Sequence, residues 1–455
     1  MFELTRITED REVSPTRSTA MNVVTQLLEF RQAIYKNLCQ AQDATFELMD
    51  ALLLTRKAQS LADLSLSCVF RRQWPSVYEA LQDTRPDREQ LMKLYIAQIQ
   101  PSEPIVLAGD HRSWSRPDAK TLKERTYEHS PSQLGGSPVT VGYGYSTLAW
   151  IPEEQGSWAL PFLHERITSW DSPISMAAQQ LSRVSENLPS RAISLWDSEY
   201  GCAPFINQTA SVGVDKLMRW RSNLCLWGAP GAYGGRGRPK LHGDKFKLND
   251  PTTWSSPAQL LEIDDPELGQ LRVRVWHNYH FRLSPSHSMS VVLVERLTTD
   301  GYAKTNKPMW LAFVGLKMPP LDRVWWLYLR RFAIDHWYRF AKNRLHWTVP
   351  RLSTPPQCDR WSDLMPIVTW QLWLARHLVE QRPLPWQKAQ TKLTPGRVAQ
   401  SFGSILALLG TPARPPKLRG KSEGWIRGRK RRPSIRYPTV KKGFSRPRKP
   451  TKKSL

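Results

Sequence analysis

WWLYLRRFAIDHWYRFAKNRLHW, Trp325–Trp347, is the stretch on which the reading of the fold turns. A helix advances ~100° per residue, which places Tyr328, Arg331, Asp335, Arg339, Lys342 and His346 within a sector of roughly 80°. The opposite sector collects Leu329, Ala333, Ile334, Trp337, Phe340, Ala341 and Leu345. The pattern predicts one amphipathic helix, its apolar side docked on a core, ending before Pro350, which cannot continue it. By itself, an acid with arginine one turn away on either side is what a solvated helix face laced with charge pairs also shows.

Working outward, two more acids stand at the ends of apolar runs. Ile105-Val106-Leu107-Ala108 leads through Gly109 to Asp110, and Ala192-Ile193-Ser194-Leu195-Trp196 leads to Asp197. Each reads as a buried strand delivering a carboxylate at its C-terminal end. Pro138–Trp150 and Trp158–Leu163 read as strands between them, and Ile174–Asn187 as a helix. Strand, strand, strand, helix, strand is the order of a ribonuclease-H-like sheet, and Lys216–Trp220 reads as one strand more. An aspartate where a strand gives way to a turn is commonplace; the combination is what carries information.

The order Tyr328, two residues, Arg331, three residues, Asp335, six residues, Lys342 resembles the Tyr-x2-Arg-x3-Glu-x6-Lys signature of DDE transposases of bacterial insertion sequences. Asp335 stands where that family has Glu, an arm shorter by about 1.5 Å. Asp197-Ser198-Glu199-Tyr200-Gly201 likewise resembles the family's second-acid motif. The resemblance implies an α/β protein with a ribonuclease-H-like mixed sheet, in which Asp110, Asp197 and Asp335 are the catalytic acids. It implies that they hold two Mg²⁺ ions, with Mn²⁺ as substitute. Asp110 would bridge both ions, with Asp197 on one and Asp335 on the other. Arg331 and Lys342 would hold phosphates, the first as a bidentate fork and the second as a point charge, with Tyr328 against the terminal nucleotide. The implied reaction is cleavage of the element's DNA ends by water, then attack of the freed 3′-hydroxyl on target DNA. Double-stranded DNA, as element ends and as target, is the implied partner, and pairing two ends implies a homodimer.

Composition agrees with a nucleic-acid partner. Lys and Arg number 65 against 40 Asp and Glu in 455 residues, a formal charge of +25, which calls for a polyanion. The excess is uneven: from Thr411 to Leu455 there are 17 Lys and Arg against Glu423 alone. That Pro-, Gly- and cation-rich tail has no means of burying a core, so disorder is expected of 411–455 unless it lies on nucleic acid. Five cysteines without a C-x-x-C pair suggest neither a zinc ribbon nor a disulfide framework, and fit a reducing compartment. The N-terminus lacks an apolar leader core, and no run reaches the ~20 apolar residues of a membrane span. A cytoplasmic, nucleoid-associated protein is therefore expected.

The remaining segments fill in the organisation. Residues 1–100 show helical periodicity and are expected to form a helical domain that grips DNA ends, or else merely supports the core. Residues 101–220 would be the first part of the catalytic core and 319–410 the second, which carries the third acid. Leu271–Phe281, Met289–Leu297 and Pro308–Leu316 are strand-like by β-branched and aromatic alternation, and 221–318 is expected to be a β-rich insertion, with membership of the core sheet as the alternative for the last of these strands. Within it, GAPGAYGGRGRPKLHGDKFK, Gly228–Lys247, is a glycine-rich basic loop. Arg236 and Arg238 there are candidates for phosphate or minor-groove contact; a flexible basic loop is the plainer alternative. A helix is expected from Pro366 to Glu380, with the proline in its first turn, and another over Val398–Leu409. Most of the 20 tryptophans are assigned to the core. Two other readings compete with the transposase: a catalytically inactive, transposase-derived DNA-binding protein, and a basic RNA-binding protein, for which no RNA module is recognisable.

Overall fold

The structure is a computed structural model, described for residues 17–99, 104–129, 138–235, 237–297, 308–380, 386, 392–417, 424, 426–430 and 433–443. Its centre is β1 (Ile105–Ser115), a strand buried along its first six residues. On one side β1 pairs antiparallel with β3 (Val139–Trp150), which is flanked by β2 (Thr126–His129) and by β4 (Leu160–Ile167). On the other it pairs parallel with β5 (Ala192–Trp196), and β5 in turn with β6 (Asp215–Trp220). The helix α5 (Pro173–Ser185) connects β4 to β5 and packs on β3 and β1. Ser172 caps it through a reciprocal bond with Ser175, ahead of Pro173 in the first turn. This mixed sheet is consistent with the ribonuclease-H-like arrangement read from the sequence.

Asp110 departs from that reading in one respect. The strand does not stop at Asp110 but runs on to Ser115, so the acid lies mid-strand. What stops is its pairing with β5: the last pair is Ala108↔Leu195. The polar run His111-Arg112-Ser113 hides the continuation, because as a strand it pairs with β3 alone.

Of the strands after β6, four extend the same sheet. β12 (Met309–Val314) pairs with β6, β11 (Met289–Arg296) with β12, β10 (Gly269–Tyr279) with β11, and β9 (Gln259–Asp265) with β10, all antiparallel. The result is one sheet of ten strands. A short ribbon of β7 (Cys225–Trp227) and β8 (Lys245–Lys247) carries the glycine-rich loop at its tip. Trp276 and Trp310 pack edge-to-face on Phe246 of β8 and Trp254 stacks on it, which agrees with the assignment of most tryptophans to the core.

Helices cover the sheet. α1 (Arg17–Asn37), α2 (Gln42–Leu54), α3 (Pro75–Asp83) and α4 (Arg88–Ile96) assemble with α9 (Pro355–Ala375) and α10 (Pro395–Leu409), and α9 lies on β4. α9 begins eleven residues before the expected Pro366, which sits inside it. Thr354 caps the helix ahead of Pro355, and burial along almost its whole length outweighs the one backbone bond that Pro366 lacks. Among the described residues no helix is long and apolar enough to cross a membrane.

The deciding stretch itself forms two helices, α7 (Val324–Leu329) and α8 (Phe332–Asn343), and not one. Arg330 and Arg331 stay right-handed, but the bonds there tighten: Arg331 N–H to Tyr328 O, and Ile334 N–H to Arg331 O, each span three residues. α8 ends earlier than the periodicity suggests, and His346 takes a left-handed φ of 54°. Its ring is buried against Thr55 O at 3.2 Å, so it belongs to the contact with the helical bundle. Within the tail, residues 433–443 lie against the body of the fold, with Val440 bridged to Thr126 at the edge of β2.

Candidate active site

β1 and β5 are parallel and level at Ala108↔Leu195, and Asp110 and Asp197 each lie two residues further on. The pleat repeats every two residues, so both aspartates project from the same face as that last pair, at the point where the strands part. Gly109 makes this possible. A Cβ there would fall 1.9 Å from the Trp196 ring, so the residue between the apolar run and the acid has to be glycine. Gly201 has the same reason to exist, since its Cβ would come within 2.6 Å of Arg219 O on β6. Tyr200 beside it is fully buried and sets its hydroxyl 3.2 Å from His111 Nδ1.

Asp335 arrives from α8, which packs on β1. Arg331, one turn earlier, sits between it and Asp110: Nη2 is 3.2 Å from Asp335 Oδ2, and Nη1 is 3.8 Å from Asp110 Oδ2. Arg112 holds the other oxygen of Asp335 at 3.0 Å. Two acids far apart in the chain, Asp110 and Asp335, thus meet around one buried guanidinium. Asp197 joins through its charge, which acts on Asp110, Arg331 and Tyr328. Its own Oδ1 accepts the Glu199 N–H, a turn that fixes the carboxylate at the strand end.

Burial pushes the Asp110 carboxyl up to about 6, against the pull of Arg331 and with the help of Asp197 and Asp335. The Arg331 guanidinium is pulled down by burial, yet Tyr328, Asp110, Asp335 and Asp197 together hold it above its ordinary value. Despite these neighbours, Arg331 Nε and Nη1 have no hydrogen-bond partner. A buried arginine with unused donors amid carboxylates is an arrangement suited to accepting a phosphate oxygen.

The other expected residues fall in three groups. Tyr328 is buried, 1% exposed, so its ring offers no open face to a base. Lys342 lies over the Trp347 ring at 5.9 Å, and burial lowers its ammonium with Arg112 acting in the same direction. Arg238 is exposed on the glycine-rich loop and takes no part in the charge cluster around Asp110, while Arg236 lies outside the described residues. That loop is pinned at its base by Gly243 N–H to Gly228 O and by a 2.9 Å bond between His242 and His280.

Sequence reasoning missed Arg112 and Tyr338. The Tyr338 hydroxyl donates to Asp110 O at 3.1 Å and lies 2.6 Å from Thr147 Oγ1, so α8 is bolted to β1 and β3 at the acid itself. The signal for Arg112 was available: two residues after Asp110 on a strand, it shares that acid's face.

The chemistry of the donors fits a divalent ion. Hard cations of the Mg²⁺ class take oxygen ligands and keep several waters, so a few carboxylates suffice. In the present arrangement, among the described residues, no three of His, Cys, Asp and Glu are drawn together closely enough to hold an ion. The positive charge among the acids is instead that of Arg331 and Arg112.

A family profile described as DDE superfamily endonuclease matches residues 33–279. That is more than half of the chain, and the protein belongs to the DDE superfamily endonucleases, nucleases that act on DNA and generally use divalent metals. The matched stretch contains Asp110 and Asp197 and ends before Asp335. No curated protein matches the chain.

Proposed function

We propose that the protein is a DDE-type transposase, which cuts the ends of a mobile DNA element and joins them to target DNA in the cytoplasm, as a homodimer holding two ends. The observation that carries this reading is the convergence of Asp110 and Asp335 on Arg331, with Asp197 level with Asp110 at the neighbouring strand end.

Asp110, Asp197 and Asp335 would hold the metal. When bound, a Mg²⁺ pair makes an attacking oxygen reactive and stabilises the leaving one. The remaining work falls to the chain's own groups. Arg331 turns its unused donors to the phosphate at the cut, Lys342 adds a second cation, and Tyr328 keeps the guanidinium aimed. Tyr338 fixes the distance between α8 and β1. Asp335, shorter than the family's Glu, reaches the ions only after leaving Arg112 and Arg331. This last feature favours a second reading, a DNA-binding descendant without catalysis, because both oxygens of Asp335 are already engaged.

Incubation of Asp110→Asn and the parent with duplex carrying the element's own ends, in Mg²⁺ or Mn²⁺, decides between them. The transposase reading expects cleavage by the parent, reduced on the order of 10³-fold or more in the variant, with DNA binding retained. Cleavage that survives the substitution removes Asp110 from the chemistry. Tight binding by the parent without cleavage in either ion establishes the second reading.

A further inference from the structure

The segment 433–443 (PSIRYPTVKKG) is fastened to the sheet at four points. Tyr437 N–H donates to Lys120 O at 2.8 Å, Val440 N–H to Arg125 O at 2.7 Å and Gly443 N–H to Ser169 O at 3.2 Å. The Lys442 ammonium pairs at 2.8 Å with Glu128, a carboxylate only 5% exposed. Val440 forms a parallel bridge with Thr126, so the segment adds itself beside the edge strand β2. Such an edge presents unpaired N–H and C=O groups and is commonly covered, but covering it does not require cations.

The outer surface of this strap is positive. Arg436 and Lys441 are exposed on it, beside exposed Lys120 and Lys123, the latter over the Tyr437 ring at 5.1 Å. Of the nearby acids, Glu128 is taken by Lys442 and Glu124 by Arg166. By sequence, Arg427, Arg429, Lys430, Arg431 and Arg432 precede the strap, and Arg446, Arg448, Lys449, Lys452 and Lys453 follow it.

We propose that the strap is a docking track for duplex DNA that continues from the acid cluster along one edge of the catalytic sheet. The register supplies the distance. Thr126 pairs with Gly142, which lies opposite Ser115, five residues along β1 from Asp110. At ~3.4 Å per residue and ~4.8 Å per strand, Val440 stands roughly 22 Å from Asp110. That is about six base pairs at ~3.4 Å each, so a duplex cut at the acids passes over the strap within its first helical turn. A line of cations at that reach neutralises phosphates without reading bases. The direction of the track rests on Asp110 marking the cut; binding along it does not, because it is measured without metal.

The test uses the full chain in EDTA with a random-sequence 30-bp duplex, its dissociation constant followed by fluorescence anisotropy from 50 to 300 mM salt. Val440→Pro removes the N–H given to Arg125 and keeps every charge. It should speed tryptic cleavage after Arg436 and Lys441 and weaken binding about five- to tenfold at 0.1 M salt. Arg436→Glu with Lys441→Glu should weaken it further and lower the salt slope by about 2, near 0.9 for each phosphate no longer neutralised. A strap freed by proline with unchanged affinity would show that the tail binds merely as a tethered polycation. A strap that proline does not free would show that this edge is not its anchor. An unchanged salt slope in the charge-reversed protein, or an equal loss only on phosphatidylserine vesicles, would also overturn the proposal. None of these outcomes touches the cleavage result with Asp110→Asn.

Discussion

Asp110 and Asp363 are both carboxylic acids buried against an arginine, and burial pushes both up to about 6. Their surroundings differ in what is left unused. Asp363, on α9, has both oxygens bonded by Arg88 of α4, at 2.8 and 3.0 Å. Asp110 accepts one bond from the following N–H of His111, and its second oxygen faces Arg331 Nη1 at 3.8 Å, beyond hydrogen-bond length. Arg331 in turn leaves two nitrogens without partners in a side chain only 9% exposed. Each such buried donor costs about 1–3 kcal/mol. The first pair has closed on itself and ties the helical bundle to α9. The second keeps charge and bonding capacity in reserve at a strand end, which is the condition for taking up a metal ion or a phosphate. Residue type and degree of burial do not tell the two apart; the saturation of their bonds does.

The difference has measurable consequences, the largest at Arg331. Arg331→Met leaves Asp110 without its cation and Asp335 with Arg112 alone, and stability in EDTA should fall by about 3–5 kcal/mol. Mn²⁺ should restore a substantial part of this, because the acids gain another positive charge. Urea unfolding with and without Mn²⁺ measures both; a loss that Mn²⁺ leaves untouched would reduce Arg331 to a structural ion pair like Arg88. At Asp363 the effect is one of pH. Its native value of about 6 exceeds the ordinary 3.8, so between pH 4 and 6 the folded chain binds the proton more tightly and stability falls as pH rises. Asp363→Asn cannot titrate, and its stability relative to the parent should rise by about 3 kcal/mol between pH 4 and pH 7. A constant gap across that range would mean that Arg88 has cancelled the burial of the acid.

The acids were legible because the sheet imposes simple rules. A short apolar run ending in Asp is a buried strand reaching an open end, and two such runs next to each other in a parallel sheet bring their ends level, as Ala108↔Leu195 does. Arg331 and Asp335 lie together beside Asp110 although the helix is broken at Arg330, because Asp335 still stands one turn after Arg331. Sequence periodicity assumes one ideal helix and carries no sign of that break. It likewise assigned Tyr328 and His346 to a free polar face, whereas the helical bundle and the sheet close over both. The strap was hidden for another reason. Its anchors are backbone bonds and one buried carboxylate at Glu128, and composition registers only the positive charge of the segment, not the edge that receives it.

Arg112 offers the smallest and most discriminating change. It lies on the same face of β1 as Asp110, holds Asp335 Oδ1 at 3.0 Å, and lies 6.0 Å from the Tyr338 ring. The pair is partly open, with side chains 37% and 26% exposed, so its net contribution to stability is only about 0–1 kcal/mol. Its effect should be felt in competition, because a carboxylate bound to a guanidinium is not available to another cation and a fixed positive charge nearby repels one. Arg112→Gln should therefore bind Mn²⁺ about tenfold more tightly, near 1.4 kcal/mol, with little change in the unfolding midpoint. The paramagnetic resonance signal of free Mn²⁺ during titration reads this directly, without any cleavage. Weaker binding in the variant would reverse the assignment: Arg112 would then be the residue that steadies the short Asp335 arm for the ion, and the arginines would support the acid cluster instead of standing in its way.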